Sequence, residues 1–488
     1  MTPLSQSTVI GICGAGAMGA GIAQVAATAG HKVIVFDSFD GALKRGRENV
    51  EKGAAALLKR GKIDEAKAEA IMDRLSWTDE ISSLSQCGLI IEAIIEDLDI
   101  KIDLFQQLES FVSETTYLAT NTSSLSVSAI AAKLSRPENF LGLHFFNPAP
   151  IMKLVEVISG LQTGEHVAPD CLKLMQSWGK QAVIAKDVPG FIVNRVARPF
   201  YAEGWQAFEE GVAGAATIDF LLRDLAGFRM GPLELGDLIG HDINSKAAKS
   251  VFDLYNGRTR FRPSLLQGQL AESGLLGRKS GRGVYDYSEG AAQSDPDFET
   301  EQSSERIVKG SGTEMFSEVG NEGDFSSSIP RGFWLVDDVF VGFSNGSSAT
   351  AMSRKLASPV AVLDYVHDME KAQSLAYSAV NDASDKAARA LITALGKKPV
   401  RILDRPGAIV FRTLLQLVNA AADAVRDQVG TADAIDKALL FGVNYPVGPM
   451  SWAKELGYSN VIDALNNIAD ETGEGDFYSP NHFLRGLS

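Results

Sequence analysis

The sequence predicts an α/β domain built on a mostly parallel sheet, followed by an all-α domain that is present twice, with a small α/β module between the copies. Three observations carry this. Near the N-terminus a β-branched run meets clustered glycines, then a helical pattern, then a second β-branched run. From Pro189 the pattern turns helical. A set of turn residues from that helical region then returns, in register, towards the C-terminus.

Residues 8–13 (TVIGIC) and 32–37 (KVIVFD) bracket the glycines and the helical stretch, which makes one right-handed βαβ unit. Further strands are expected at Leu89–Ile95, Tyr117–Thr120, Phe140–His144 and Leu154–Ile158. The helical region runs from Pro189 to about Leu276, and a glycine- and base-rich segment, 277–287 (GRKSGRGVYDY), closes it. From Ser288 the composition shifts to Ser, Gly, Asp and Glu, as in a flexible linker. Residues 334–403 return to apolar strands around short helices; the loop Ser344–Ser348 (SNGSS) lacks the glycine spacing of a dinucleotide turn, so the module reads as structural. The expected division is 1–186, 187–287, 288–333, 334–403 and 404–488.

The repeat is explicit. Gly179-Lys180 recurs as Gly396-Lys397, and Asp187, Pro189, Gly190 and Arg195 recur as Asp404, Pro406, Gly407 and Arg412. Ile218-Asp219 returns as Ile435-Asp436 and Gly231-Pro232 as Gly448-Pro449, all at one offset (404 − 187 = 449 − 232 = 217). Shared residues read as architecture. Asn194, a mediocre helix former inside an apolar helix, becomes Phe411, Asp237 becomes Lys454 and Asp242 becomes Ser459. Chemistry is therefore expected in the first copy only, the second serving as an intrachain partner for it.

Composition bounds the function. With 488 residues, 45% hydrophobic and 22% charged, the chain is a multidomain globular protein. A net charge of −15 argues against nucleic acid or an anionic membrane as partner. No apolar run is long enough to span a bilayer, and Met1–Ser7 is a polar tail rather than a signal peptide. Cys13, Cys87 and Cys171 lie too far apart for a metal motif or disulfide framework, the first two reading as buried thiols, so no metal and a cytoplasmic location are expected. The local basic excess at Lys44, Arg45, Arg47, Lys52, Lys59, Arg60 and Lys62 reads as a solvated helix face.

Gly14-Ala15-Gly16-Ala17-Met18-Gly19 follows the first strand, opens a helix and is answered by Asp37 at the end of the second strand. Gly14 permits the tight turn, Gly16 lets a pyrophosphate approach the backbone, and Gly19 allows close helix–strand packing. The helix N-terminus offers N–H donors to the phosphates, and Asp37 would bind ribose hydroxyls while repelling a 2′-phosphate. This is a Rossmann-type site for NAD rather than NADP. Further on, His144 ends one strand and Glu156 lies in the next, across a turn made by Asn147-Pro148 and Pro150. A carboxylate on one imidazole nitrogen leaves the other as a base. Spacing alone leaves open both this dyad and a structural strand-end histidine.

GAGAMG, Asn121-Thr122-Ser123-Ser124-Leu125, HFFNP, MKLVEV and DVPGFIVNR, in this order and spacing, resemble the L-3-hydroxyacyl-CoA dehydrogenase family over roughly residues 8–287. The resemblance implies NAD-dependent oxidation of an acyl-CoA substrate, with His144 as base and Glu156 as its orienting partner. It further implies Ser123 and Asn194 at the substrate oxygen, Glu96 and Lys101 at the nicotinamide-side ribose, and Asn121, Asn147 and Met18 near the cofactor. Glu156→Gln is expected to be less severe than loss of His144, since an uncharged partner can still orient the ring. The long form, with linker, module and second helical copy, is similar to the branch acting on 3-hydroxyadipyl-CoA in phenylacetate breakdown, 3-hydroxybutyryl-CoA being the alternative. The β-hydroxyacid dehydrogenases are a rival family, but they use a lysine base and leave the His144–Glu156 pair unexplained. A non-catalytic protein on the same fold is the rival from another class.

Overall fold

The computed structural model of the chain describes residues 4–292, 295–304, 306–311, 329 and 331–488. They form two compact units: the chain up to Arg195 together with Ala424–Val443, and Val196–Asp423 together with Asn444–Ser488.

The first unit holds one eight-stranded sheet: β1 (Ile10–Cys13), β2 (Val33–Phe36), β3 (Leu75–Thr78), β4 (Leu89–Glu92), β5 (Tyr117–Thr120), β6 (Phe140–Phe145), β7 (Leu154–Ser159) and β8 (Gln181–Lys186). Their order is β3-β2-β1-β4-β5-β6-β7-β8, parallel throughout except for the antiparallel β6–β7 pair. Ile10, Ile12, Val33, Val35, Leu89 and Ile91 are fully buried, as strands covered on both faces must be. The sequence did not announce β3 or β8, two edge strands whose residues are partly exposed. The strand expected over 89–95 stops at Glu92, because its carboxylate accepts the Ile94 N–H at 2.7 Å and turns the chain. The second helical copy contributes to this unit: Lys186 N–H donates to the Val429 carbonyl at 2.9 Å, and the helix Ala432–Gly442 packs on β7 and β8. All three cysteines are buried and free.

The second unit begins with five helices of the first copy, Arg198–Glu209, Ala215–Ala226, Pro232–Ile239, His241–Leu254 and Leu265–Glu272. A second sheet follows: β9 (Ile307–Lys309), β10 (Phe333–Val336), β11 (Val339–Phe343), β12 (Val360–Leu363), β13 (Ser374–Ala379) and β14 (Lys398–Arg401), in the order β14-β13-β12-β11-β10-β9. The expected linker thus needs correction, since its residues 307–309 pair antiparallel with β10 as an edge strand. Residues 293, 294, 305, 312–328 and 330 of it lie outside the described residues.

The duplication reaches beyond the helices. In β11–β14 the pairings run parallel, antiparallel, parallel, as they do in β5–β8. Asp187 accepts the N–H groups of Val127 and Ser128, and its counterpart Asp404 accepts those of Ala349 and Thr350. Ser126 and Ser348 cap the two helices concerned. The SNGSS loop therefore follows β11 as Thr122-Ser123-Ser124 follows β5. Left-handed residues coincide as well, with Phe191 at φ 46° and Ala408 at φ 54°. Within the second unit, Leu403 N–H donates to the Val212 carbonyl at 2.9 Å, the mirror of Lys186 and Val429. Phe228 meets its own counterpart, Tyr445, edge to face at 5.0 Å.

Candidate active site

The glycine turn has the shape a dinucleotide needs. At Gly14 (φ +105°) a Cβ would lie 2.6 Å from the Ala93 carbonyl oxygen, and at Gly19 it would lie 1.9 Å from that of Gly14. At Gly16 a Cβ would meet nothing within 4 Å, so this face is open. Gly16 is also the N-cap of the helix Ala17–Thr28 and brings no side chain to its N–H groups, which are left for an anion. Asp37 Oδ2 accepts the Ala15 N–H at 2.7 Å and Oδ1 the Phe39 N–H at 2.9 Å. The carboxylate borders a cavity of about 310 Å³ shared with Ala15, Gly16 and Arg45. These residues fit the adenosine half and pyrophosphate of NAD. Arg45 is the member of the basic helix that sequence reasoning left on a solvated face. Met18 is half-buried and packs on the core.

After β4 the chain builds a network around a residue the sequence reading passed over. Glu92 is fully buried in an otherwise aliphatic strand, and accepts hydrogen bonds from Lys101 Nζ at 2.5 Å and Thr120 Oγ1 at 2.7 Å. Lys101 is 1% exposed and also reaches Glu96 Oε2 at 3.3 Å. It stands behind Glu96 as a support. Glu96 Oε1 accepts from Thr122 Oγ1 at 2.6 Å, Ser124 Oγ at 2.9 Å and the Ser123 N–H at 3.1 Å. Burial alone would raise the Glu96 pKa, but the Thr122 hydroxyl, Lys101 and Ser124 together hold it below the usual carboxylate range. A lone Glu in LIIEAII, nine residues before a lysine, was the available signal.

Glu156 lies directly opposite His144 in the β6–β7 register. Its Oε2 meets His144 Nδ1 at 2.7 Å, while Oε1 accepts the N–H groups of Ile192 at 2.9 Å and Val193 at 3.0 Å. Glu156 is fully buried, and the imidazole lies against Phe146 and Phe191. One carboxylate thereby joins the histidine to the turn that carries Asn194, which is half-buried. Asn121 Oδ1 accepts the Phe145 N–H at 2.8 Å and ties the end of β5 to β6. Ser123 is exposed. Asn147 is also exposed and makes no side-chain hydrogen bond among the described residues. Among the described residues no group of three or more His, Cys, Asp or Glu is placed to hold a metal ion.

A dinucleotide cradle at one end of the sheet and an oriented imidazole at the strand ends define an NAD-dependent oxidoreductase. The chain belongs to the 3-hydroxyacyl-CoA dehydrogenase family: the family's NAD-binding domain matches residues 9–188, its C-terminal domain residues 190–287 and again 407–487. The reduced Rossmann-fold domain of 3-hydroxybutyryl-CoA dehydrogenase matches residues 341–406. The chain is 41% identical over 484 residues to a 3-hydroxyadipyl-CoA dehydrogenase of Escherichia coli, covering 98% of this chain and 96% of that one. It is 39% identical to a 3-hydroxybutyryl-CoA dehydrogenase of Clostridioides difficile, over 57% of this chain and 99% of that one. Among solved structures, an Escherichia coli protein described as 3-hydroxybutyryl-CoA dehydrogenase superposes with a TM-score of 0.90 at 40% identity, over 99% of this chain and 98% of that one.

Proposed function

We propose that the chain oxidises the 3-hydroxyl of L-3-hydroxyadipyl-CoA, with His144 as the base. The observation that carries the mechanism is the 2.7 Å contact between His144 Nδ1 and a Glu156 whose other oxygen is committed to backbone donors. With Nδ1–H donated to the carboxylate, Nε2 keeps its lone pair and takes the hydroxyl proton. NAD, when bound, accepts the hydride from C3. Ser123 and Asn194 hold the oxygen as it changes from hydroxyl to carbonyl. Glu156 is a positioning residue, and Glu96, braced by Lys101, orders the Thr122–Ser124 turn. Asp37 receives the adenosine ribose. The substrate assignment is supported by the long form and its identity to the Escherichia coli adipyl enzyme over nearly the whole chain. The description of the superposed Escherichia coli structure favours a second reading, 3-hydroxybutyryl-CoA.

The helical copies, about 187–287 and 404–488, act as an intrachain pair, the second standing in for a partner subunit; the meeting of Phe228 with Tyr445 supports this. Free, buried thiols fit a reducing compartment such as the cytoplasm. NADH formation with each thioester tests the substrate: kcat/KM should be higher for 3-hydroxyadipyl-CoA, and a higher value for 3-hydroxybutyryl-CoA would replace this reading with the second.

A further inference from the structure

The turn between β6 and β7 is held by a buried lysine. Lys180, one residue before β8, is 8% exposed, and its Nζ donates to the Ala149 carbonyl at 2.5 Å and to the Met152 carbonyl at 2.8 Å. Among the described residues no carboxylate pairs with it, and burial pulls its pKa down to about 8. An ammonium in such a place is costly, and packing alone would be served by an aliphatic side chain. The same turn rests on the dinucleotide helix. A Cβ at Gly21, in the helix Ala17–Thr28, would lie 3.1 Å from Pro150 Cδ and 3.3 Å from Ala149 Cβ. The turn therefore touches the helix that opens at the glycine motif, while its two ends run into the strands that carry His144 and Glu156.

The duplication separates what Lys180 does for the fold from what it does here. Lys397, at the repeat offset, donates from Nζ to the Ala372 carbonyl at 2.7 Å. Ala372 corresponds to Met152. The Gln181 N–H donates to the Lys153 carbonyl as the Lys398 N–H does to that of Gln373, and the Met152 and Ala372 N–H groups donate to the Pro148 and Asp368 carbonyls. One lysine bond is thus common to both copies and belongs to the architecture. The bond to Ala149 has no counterpart, since among the described residues Lys397 makes none to Met369. The described residues of that module also hold no counterpart of the helix Ala17–Thr28. The extra bond occurs where the turn has a cofactor helix to meet.

We propose that Lys180 is a positioning residue for hydride transfer: by fixing the Ala149 carbonyl it sets the register between the helix that holds the dinucleotide and the strands that hold His144 and Glu156. This rests on the reading of His144 as the base and is independent of the acyl group. Hydride transfer requires reacting atoms about 3–3.5 Å apart, and a misplacement of about 1 Å can cost on the order of 10² in rate. Gly21 serves the same register from the other side, because a side chain there would press on Ala149 and Pro150.

The test compares Lys180→Met with Lys397→Met, which removes the shared bond from the second copy. Lys180→Met should lower kcat, referred to sites titrated with NADH, by about 10- to 10²-fold. The NADH dissociation constant should stay nearly unchanged, since the glycine turn and Asp37 are left in place. The deuterium isotope effect on kcat with substrate labelled at C3 should rise, because hydride transfer becomes the slow step. In the cofactor-free variant, exchange of the Ile151 and Met152 amides, which bond to the Pro148 carbonyl, should quicken. Lys180→Arg, which keeps a cation with several donors, should recover part of kcat. Lys397→Met should leave kcat and the isotope effect as they are. If Lys180→Met does not fold, Gly21→Ala should lower kcat and raise the isotope effect in the same way. Wild-type kcat and isotope effect in Lys180→Met, or in Gly21→Ala where that variant stands in, would overturn the proposal, as would equal losses in Lys180→Met and Lys397→Met. Wild-type turnover in His144→Ala would instead overturn the reading of the base on which it rests.

Discussion

Asp364 holds in the second copy the place that His144 holds in the first. Leu154 pairs with Gln181, and Ser374 with Lys398, the residue at the repeat offset from Gln181, so Ala376 corresponds to Glu156. His144 faces Glu156; Asp364 donates its N–H to the Ala376 carbonyl at 2.9 Å. The Asp364 carboxylate accepts from Ile409 at 3.0 Å, Val410 at 2.7 Å and Phe411 at 2.9 Å. Ile192 and Val193, the counterparts of Ile409 and Val410, donate instead to Glu156. A single acid thus anchors the turn where the imidazole is gone. Anchoring the turn and orienting a base are separable tasks, and Glu156 performs both.

That division sharpens what substitutions at the dyad should do. His144→Ala should lower kcat by about 10²–10⁴ with little change in NAD affinity. The expectation that Glu156→Gln is less severe than His144→Ala does not survive the geometry. The amide oxygen must face the Ile192 and Val193 N–H groups, which turns the NH₂ towards Nδ1 and forces the proton onto Nε2. Loss of the correct tautomer costs on the order of 10⁴ in comparable sites. Steady-state kcat and fluorescence titration with NADH distinguish the cases, and a Glu156→Gln enzyme near wild-type turnover would refute this tautomer argument.

Cofactor choice should depend on Asp37. The wild-type enzyme should use NAD in strong preference to NADP. Asp37→Ala should raise kcat/KM for NADP by about tenfold or more, since it removes one charge from a cavity that already contains Arg45. No change in the NADP value would show that the carboxylate does not face the ribose.

The glycine turn, Asp37 and the β6–β7 register were legible because each is local: a motif of six residues, a strand end and a hairpin-length spacing. What stayed hidden depends on contacts distant in sequence. The resemblance puts Lys101 at the nicotinamide-side ribose, but that Glu92 and Glu96 enclose it is visible only in the structure. β8 mixes exposed and buried residues without strict alternation and gains its last hydrogen bond from Val429, far along the chain. The repeat was visible where glycine and proline fix the turns. It faded in β11–β14, where backbone pairing persists while the side chains have changed.

Asp219 should make stability depend on pH. Its carboxylate accepts the Leu233 and Glu234 N–H groups and the Tyr285 hydroxyl, yet burial pushes its pKa up to about 7. A folded-state pKa above the unfolded value of 3.8 means that the folded form binds more protons within that window. Its contribution to stability is fully present below about pH 4 and is lost as pH rises through about 7. Asp219→Asn, which cannot ionise, should flatten the unfolding free energy over that range by up to ~1.4 kcal/mol per pH unit. Parallel slopes for the two proteins in denaturant titrations would refute this.

The second helical copy should be required for a well-behaved first one. Within the second unit, Glu203 is 1% exposed and takes Arg412 Nε at 3.0 Å and Arg405 Nη2 at 3.5 Å. The Tyr478 hydroxyl donates to Gln206 at 3.1 Å, and Phe228 packs on Tyr445 and Trp452. Cutting the chain near Ser288 removes every one of these partners from the first copy. An apolar face is then opened, and Glu203 is left without the cations that justify its burial. Two truncated chains can repair this together, because the first copy also carries an arginine, Arg195, at the place of Arg412, and an aromatic, Phe228, at the place of Tyr445. The expected outcome is a homodimer or an aggregating protein, seen by sedimentation and size-exclusion chromatography. Glu203→Ala in the truncated chain should weaken the dimer, since each chain would lose the acid that meets the other's arginine. A truncated chain that stays a soluble monomer with full activity would show that the second copy does not stand in for a partner subunit.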